Sequence, residues 1–223
     1  MKNVKKAIIY LSGMFLTAIG VNLSKIGGLG ISPVSSVPYA CELIWGVELG
    51  AAVAIIYMIL ILLQFILLRL SRRRFKPIQL LQLICTYVFS FFVTLTGPAM
   101  MTGFLPQPPN WFASLAYCLV GVVFIGAGVA LYLIPMWIPM PAEGLAVALV
   151  EISDGKLPLH RCKIIVDVSL VTVSAALSLT FLGRLVSVRE GTLIDAVCVG
   201  GIVGFVHRRF KEKIMIWVQK TKP

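Results

Sequence analysis

Displaced along itself by 108 positions, the chain superposes Leu11 on Leu119, Gly13 on Gly121, Gly20 on Gly128, Val21 on Val129, Leu23 on Leu131, Pro33 on Pro141 and Ala40 on Ala148 without a gap. An internal duplication limits the fold more than any single motif does, because both copies must build the same elements in the same order. Each copy opens with an apolar stretch, breaks, and resumes. The first break is Gly27-Gly28-Leu29-Gly30-Ile31-Ser32-Pro33, and its counterpart is Pro135-Met136-Trp137-Ile138-Pro139-Met140-Pro141-Ala142-Glu143-Gly144-Leu145.

The apolar stretches read as membrane spans. Of 223 residues, 59% are hydrophobic and 13% charged, with a mean hydropathy of +0.96, which leaves too little polar surface for a domain facing water. Crossing ~30 Å of hydrocarbon takes ~20 apolar residues, and six stretches supply them: 7–23, 51–70, 78–95, 112–134, 164–182 and 192–206. Segments 33–45 and 141–152 are too short to cross, and each begins with a proline, which suits a first helical turn. They are expected as re-entrant or interfacial half-helices. A basic start before an apolar run also opens a signal peptide. Cleavage here would delete the match to 115–131, so the segment is read as a retained first span.

Orientation follows from the basic residues, which favour the cytoplasmic side. With the N-terminus inside, all of the 20 lysines and arginines except Lys25, Arg184 and Arg189 fall on cytoplasmic segments. Both termini are then cytoplasmic. Three spans per copy is an odd number, so the second copy enters from the opposite side. The expected fold is an all-α membrane protein of six transmembrane helices, arranged as two inverted three-span repeats, each with a half-helix. It forms one polytopic domain over 1–223, with repeats at about 7–97 and 112–206. Residues 207–223 form a basic amphipathic tail, expected to lie on the inner leaflet.

Inverted repeats interrupted at matching positions are a transporter architecture, with the site where the broken segments meet. Candidate substrate or ion residues are therefore sought at the breaks and at polar positions inside spans. Gly28 and Gly30 permit positive φ, either as a plain turn or beside a cavity. Ser32, before Pro33, is placed to cap a half-helix whose free amides face an anionic or polar group. Glu143, after Pro141 and before Gly144, complements a helix N-terminus or belongs to the site. Lys163 and Asp167 share a helix face at i,i+4, either snorkelling at the edge or lining the path. A displacement of 113 aligns Cys85 with Cys198, Gln82 with Asp195 and Gln79 with Thr192, so each third span carries a polar pair at i,i+3. Interhelical hydrogen bonding or a shared cavity accounts for them. Arg189 and Glu190 are a span-entry pair or a gate. Ala196, Gly200 and Gly204 form a small-residue stripe that lets another helix approach closely. Asn22 and Gln64 are single polar residues with no assigned role.

Gly28-Leu29-Gly30-Ile31-Ser32-Pro33, Pro141-Ala142-Glu143-Gly144-Leu145, the Lys163 and Asp167 pair and Arg189-Glu190-Gly191-Thr192 together resemble motifs of the YczE/YyaS/YitT group of bacterial membrane proteins. The resemblance runs over nearly the whole chain. Two departures are Val34, where an aromatic often follows the first proline, and the lack of a clear Gly-Thr at the start of the third span. The resemblance implies a multi-pass protein of the bacterial cytoplasmic (inner) membrane and says nothing of a substrate.

Several function classes are disfavoured. The net charge of +11 sits at span ends rather than on one face interleaved with aromatics, so no nucleic acid is expected. His160 and His207 are juxtamembrane, neither HExxH nor GxSxG occurs, and Gly30-Ile31-Ser32-Pro33 lacks an intramembrane base. No enzyme, cofactor or metal site is expected. Cys41, Cys85, Cys118, Cys162 and Cys198 have no CxxC spacing and read as small packing residues. The expected function is a small-solute transporter or permease. The alternative is a non-transporting adaptor or substrate-binding subunit of a larger membrane complex. Expected partners are the lipid bilayer, a small solute or ion, and a second copy or partner subunit at the small-residue stripe.

Overall fold

Two helices that begin the two copies lie against each other along a seam of small residues. In the computed structural model, which describes residues 2–99, 105–135 and 137–219, α1 (Lys2–Gly27) packs on α5 (Trp111–Leu133). Gly13 meets Gly128, Gly20 meets Gly121 and Gly27 meets Ser114. Positions rise on one helix as they fall on the other, so the pair is antiparallel. The approach is close: a Cβ on Gly13 would stand 2.6 Å from the Gly128 carbonyl oxygen, and one on Gly20 would stand 2.7 Å from that of Gly121. Glycines seven apart recur every two turns on one face, which lets backbones touch where side chains would hold them apart. Met136, Lys220 and Lys222 lie outside the described residues.

The other elements are α2 (Pro33–Trp45), α3 (Leu49–Leu70), a 3-10 turn (Pro77–Leu80), α4 (Leu81–Ala99), α6 (Pro141–Ile152), α7 (Leu159–Leu182) and α8 (Glu190–Gln219). No strand occurs among the described residues. Among the described residues, six helices are long and apolar enough to cross a bilayer: α1, α3, α4 with its 3-10 turn, α5, α7 and α8. The chain is thus an all-helical, multi-pass membrane protein. Short helices form over 33–45 and 141–152, where the half-helices are expected. Pro33 and Pro141 open them, Gly46 at φ 67° closes the first, and Asp154 and Gly155 at φ 55° and 73° close the second.

The helices gather into two units, each drawing on both copies of the duplication. The first is Met1–Ser32, Leu95–Trp137 and Arg189–Pro223; the second is Pro33–Thr94 and Ile138–Val188. In the first, α5 packs on both α1 and α8, around buried Met14, Ala18, Val21, Cys118, Val122 and Ile125. In the second, α2 and α6 each pack on both α3 and α7. Each half-helix therefore contacts a long span of the other copy.

The C-terminal segment departs from expectation. Instead of ending near 206 and giving way to a separate tail, α8 continues unbroken to Gln219 over 30 residues, about 45 Å at ~1.5 Å per residue. Its far end is tied to the start of α1: Lys5 donates to the Trp217 carbonyl at 2.9 Å, and its ammonium lies 4.7 Å from the Trp217 ring centroid. A cation over an indole face is favourable. Charges that signalled the end of a span do not end a helix, because lysine, arginine and glutamate are good helix formers.

Candidate functional site

In the second unit, the first turns of the two half-helices are held by polar side chains inside spans. Gln64 on α3 and Gln82 on α4 are fully buried. Their amides pair reciprocally, Gln64 Nε2 to Gln82 Oε1 at 3.1 Å and Gln82 Nε2 to Gln64 Oε1 at 3.3 Å. Gln64 Nε2 also donates to the Pro141 carbonyl of α6 at 2.9 Å. Gly144 accommodates the pair, since a Cβ there would lie 2.6 Å from Gln82 Nε2 and 2.8 Å from Gln64 Oε1. On the other half-helix, Ser174 of α7 donates to the Ser36 carbonyl of α2 at 2.8 Å. Ser187 lies within hydrogen-bond distance of both Ser174 (2.8 Å) and Ser178 (2.7 Å), and all three are fully buried. Thus each half-helix has a first-turn carbonyl bonded by the long span of the other copy that follows that copy's own half-helix.

Charge gathers beside the second of these turns. Lys163 Nζ lies 2.7 Å from Asp167 Oδ1 and 3.9 Å from Glu143 Oε1, with all three side chains partly buried. One ammonium between two carboxylates leaves the cluster one negative charge in excess. Glu143 occupies the first turn of α6, where a carboxylate is favoured by the helix dipole. Farther along, Lys76 pairs with Glu151 at 3.6 Å and Arg73 with Asp154.

The same unit contains a cavity of about 680 Å³ whose lining is almost wholly apolar. Its walls follow the duplication. Seven α3 residues line it, and the six from Ile55 to Leu67 each have a lining equivalent on α7, from Ile165 to Leu177, at a constant offset of 110. On the half-helices, Val37 matches Leu145 and Cys41 matches Leu149 at the 108 offset. Gln64 and Ser174 are themselves equivalent at the 110 offset.

In the first unit, the glycine-rich break is seated on the N-terminus of α8. Gly28 and Gly30 have φ of 68° and 88°. The Leu29 carbonyl accepts from Gly191 N at 2.7 Å, and the Gly28 carbonyl accepts from Arg189 Nη1 at 2.9 Å. Arg189 also pairs with Glu190 at 3.3 Å. Thr192 Oγ1 accepts from Arg189 N at 3.3 Å and stands where a Cβ on Gly30 would come within 2.6 Å. The motif is accounted for as a close backbone junction. Pro33 itself opens α2. Asp195, one turn past Gly191, is fully buried, and neither carboxylate oxygen has a hydrogen-bond partner among the described residues.

The expected residues therefore divide between the units. Pro141, Glu143, Gly144, Lys163, Asp167 and Gln82 come together in the second. Gly28, Gly30, Arg189, Thr192 and Asp195 belong to the first, as does Ser32, whereas Pro33 begins the second. Sequence reasoning missed Gln64, the serines at 36, 174, 178 and 187, and Asn22, whose Nδ2 donates to Thr96 Oγ1 at 2.8 Å. The 110 offset, which makes Gln64 the equivalent of Ser174, was the available signal. The Ala196, Gly200 and Gly204 stripe packs on nothing within the described chain at its centre: a Cβ on Gly200 would meet no atom within 4 Å.

A family pattern matches residues 4–208, nearly the whole chain. The chain belongs to the family of unknown function DUF6198. No curated protein and no solved structure matches this DUF6198 chain. No group of three or more His, Cys, Asp or Glu side chains able to hold a metal ion occurs among the described residues of the DUF6198 protein.

Proposed function

We propose that this chain is a small-solute transporter of the bacterial cytoplasmic membrane, related to the YczE/YyaS/YitT group and built from two inverted three-span repeats with cytoplasmic termini. The observation that carries the reading is the exchange of half-helices: Gln64 holds the first turn of α6 and Ser174 that of α2. Short helices beginning inside a membrane expose backbone groups that need internal partners, and transporters place such discontinuous segments at their solute path. The antiparallel α1 and α5 seam supports opposite orientation of the copies. Gly13 meets Gly128 while their equivalents, Gly121 and Gly20, meet each other, a reciprocal pattern that a two-fold relation generates. The Lys163, Glu143 and Asp167 cluster supplies groups able to bind a charged or polar solute.

The test is a thermal-shift screen of the detergent-purified chain against inorganic ions and metabolites, followed by uptake of each stabilising compound into liposomes. A ligand at 100 times its Kd adds ~2.7 kcal/mol to the folded state. Transport predicts that uptake falls at least tenfold in Glu143→Gln, Asp167→Asn or Asp195→Asn without loss of folded protein. Wild-type uptake by all three variants contradicts it. The unpacked stripe at Gly200 favours a second reading, an adaptor subunit docked on another membrane protein. A stable co-purifying subunit with no uptake of any compound selects that one.

A further inference from the structure

Within α1, α5 and α8, two fully buried polar side chains stand at one height without a hydrogen-bond partner among the described residues: Asp195, through both carboxylate oxygens, and Ser24, through its hydroxyl. Their height follows from the register on α5. Gly191 packs on Cys118 and Ile202 packs on Gly126, so α8 runs parallel to α5 and Asp195, one turn past Gly191, falls between the levels of residues 119 and 122 of α5. Ser24 on α1 packs its hydroxyl directly on Gly121. Thr192, one turn back on the face of Asp195, adds a fourth buried oxygen.

The duplication sharpens the contrast. Gln82, the equivalent of Asp195 at the 113 offset, is satisfied by Gln64. The equivalent of Gln64 in the second copy is Ser174, which is already bonded to Ser36 and beside Ser187. A neutral, self-contained amide pair in one copy thus becomes a carboxylate without a mate in the other. An ionisable group inside a span is costly unless something pairs with it, and an unpaired buried hydroxyl adds to that cost.

We propose that Asp195 and Ser24 bind a monovalent cation of sodium size inside this bundle. Hard alkali ions take carboxylate, hydroxyl and carbonyl oxygens, and one carboxylate balances one positive charge. No group of three or more His, Cys, Asp or Glu able to hold a divalent ion occurs among the described residues. As a coupling ion, its role rests on the transporter reading; its binding does not.

The experiment measures the melting temperature of the purified full chain at fixed pH and ionic strength as sodium chloride replaces choline chloride, with lithium and potassium in parallel, together with equilibrium binding of radioactive sodium. We expect a saturable rise in Tm that is largest for sodium. Ser24→Ala should raise the half-saturating concentration at least tenfold, and Asp195→Asn should abolish the response, while Asp167→Asn keeps it. If Asp195→Asn does not fold, Ser24→Ala and sodium binding to the wild type decide. No alkali-cation response beyond choline overturns the proposal, as does an unaltered response in Ser24→Ala or Asp195→Asn. A sodium response without flux of any solute leaves the site standing and counts against transport alone.

Discussion

At the scale of single residues, two glycines of one motif do different things. Gly28 has open space around the position of a Cβ, whereas a Cβ on Gly30 would stand 2.6 Å from Thr192 Oγ1 and 2.7 Å from Arg189 N. Both have positive φ, which costs a residue with a side chain ~1–2 kcal/mol. Gly30 adds a clash with backbone, which cannot swing aside, at roughly 1–3 kcal/mol more. Gly28→Ala should therefore lower Tm by a few degrees, and Gly30→Ala by at least twice as much, when both are measured by thermal unfolding in detergent. Equal losses would mean that the junction with α8 is not as close as described. Sequence marked both glycines as special but not which is crowded, because Arg189 and Thr192 are remote in the chain. Gln64 was illegible for the same reason: its partners are 18 and 77 residues away, and a lone glutamine in an apolar run carries no local sign of pairing.

At the scale of elements, the six long apolar helices and the two short ones were readable because proline, glycine and span length are local signals. Pro33 and Pro141 fix where the half-helices start, and the apolar runs fix the spans. The tail was not readable. Charge density marks where a span leaves hydrocarbon, while continuation of a helix depends on backbone propensity and on the contact of Trp217 with Lys5. The glycine pattern was legible as alignment but not as contact, since offset 108 pairs Gly13 with Gly121 whereas in space Gly13 meets Gly128. That contact makes a prediction about α1. Gly20→Leu places a Cβ 2.7 Å from the Gly121 carbonyl and the Ile125 nitrogen, so it should cost ~1–3 kcal/mol and lower Tm by about 5 °C or more. Gly200→Leu, with nothing within 4 Å, is the matched control and should change Tm little in the isolated chain. Equal tolerance of the two substitutions would contradict the seam.

At the scale of the whole molecule, units and copies do not coincide: each unit takes elements from both halves of the duplication. Sequence revealed the duplication but not this exchange, because the offset records equivalence and not adjacency. The lining of the apolar cavity makes the equivalence visible in space, with Ile55 answered by Ile165 and Leu67 by Leu177. Two inverted copies that trade half-helices are the central claim, and transport depends on it. The most direct measurement labels single cysteines with a membrane-impermeant maleimide, in intact cells and in inside-out vesicles, using a background without the five native cysteines. Glu48 and Lys156 are equivalent at the 108 offset and both are exposed. Glu48→Cys should react only from outside and Lys156→Cys only from the cytoplasmic face. Reaction of both from the same side would show that the copies are not inverted.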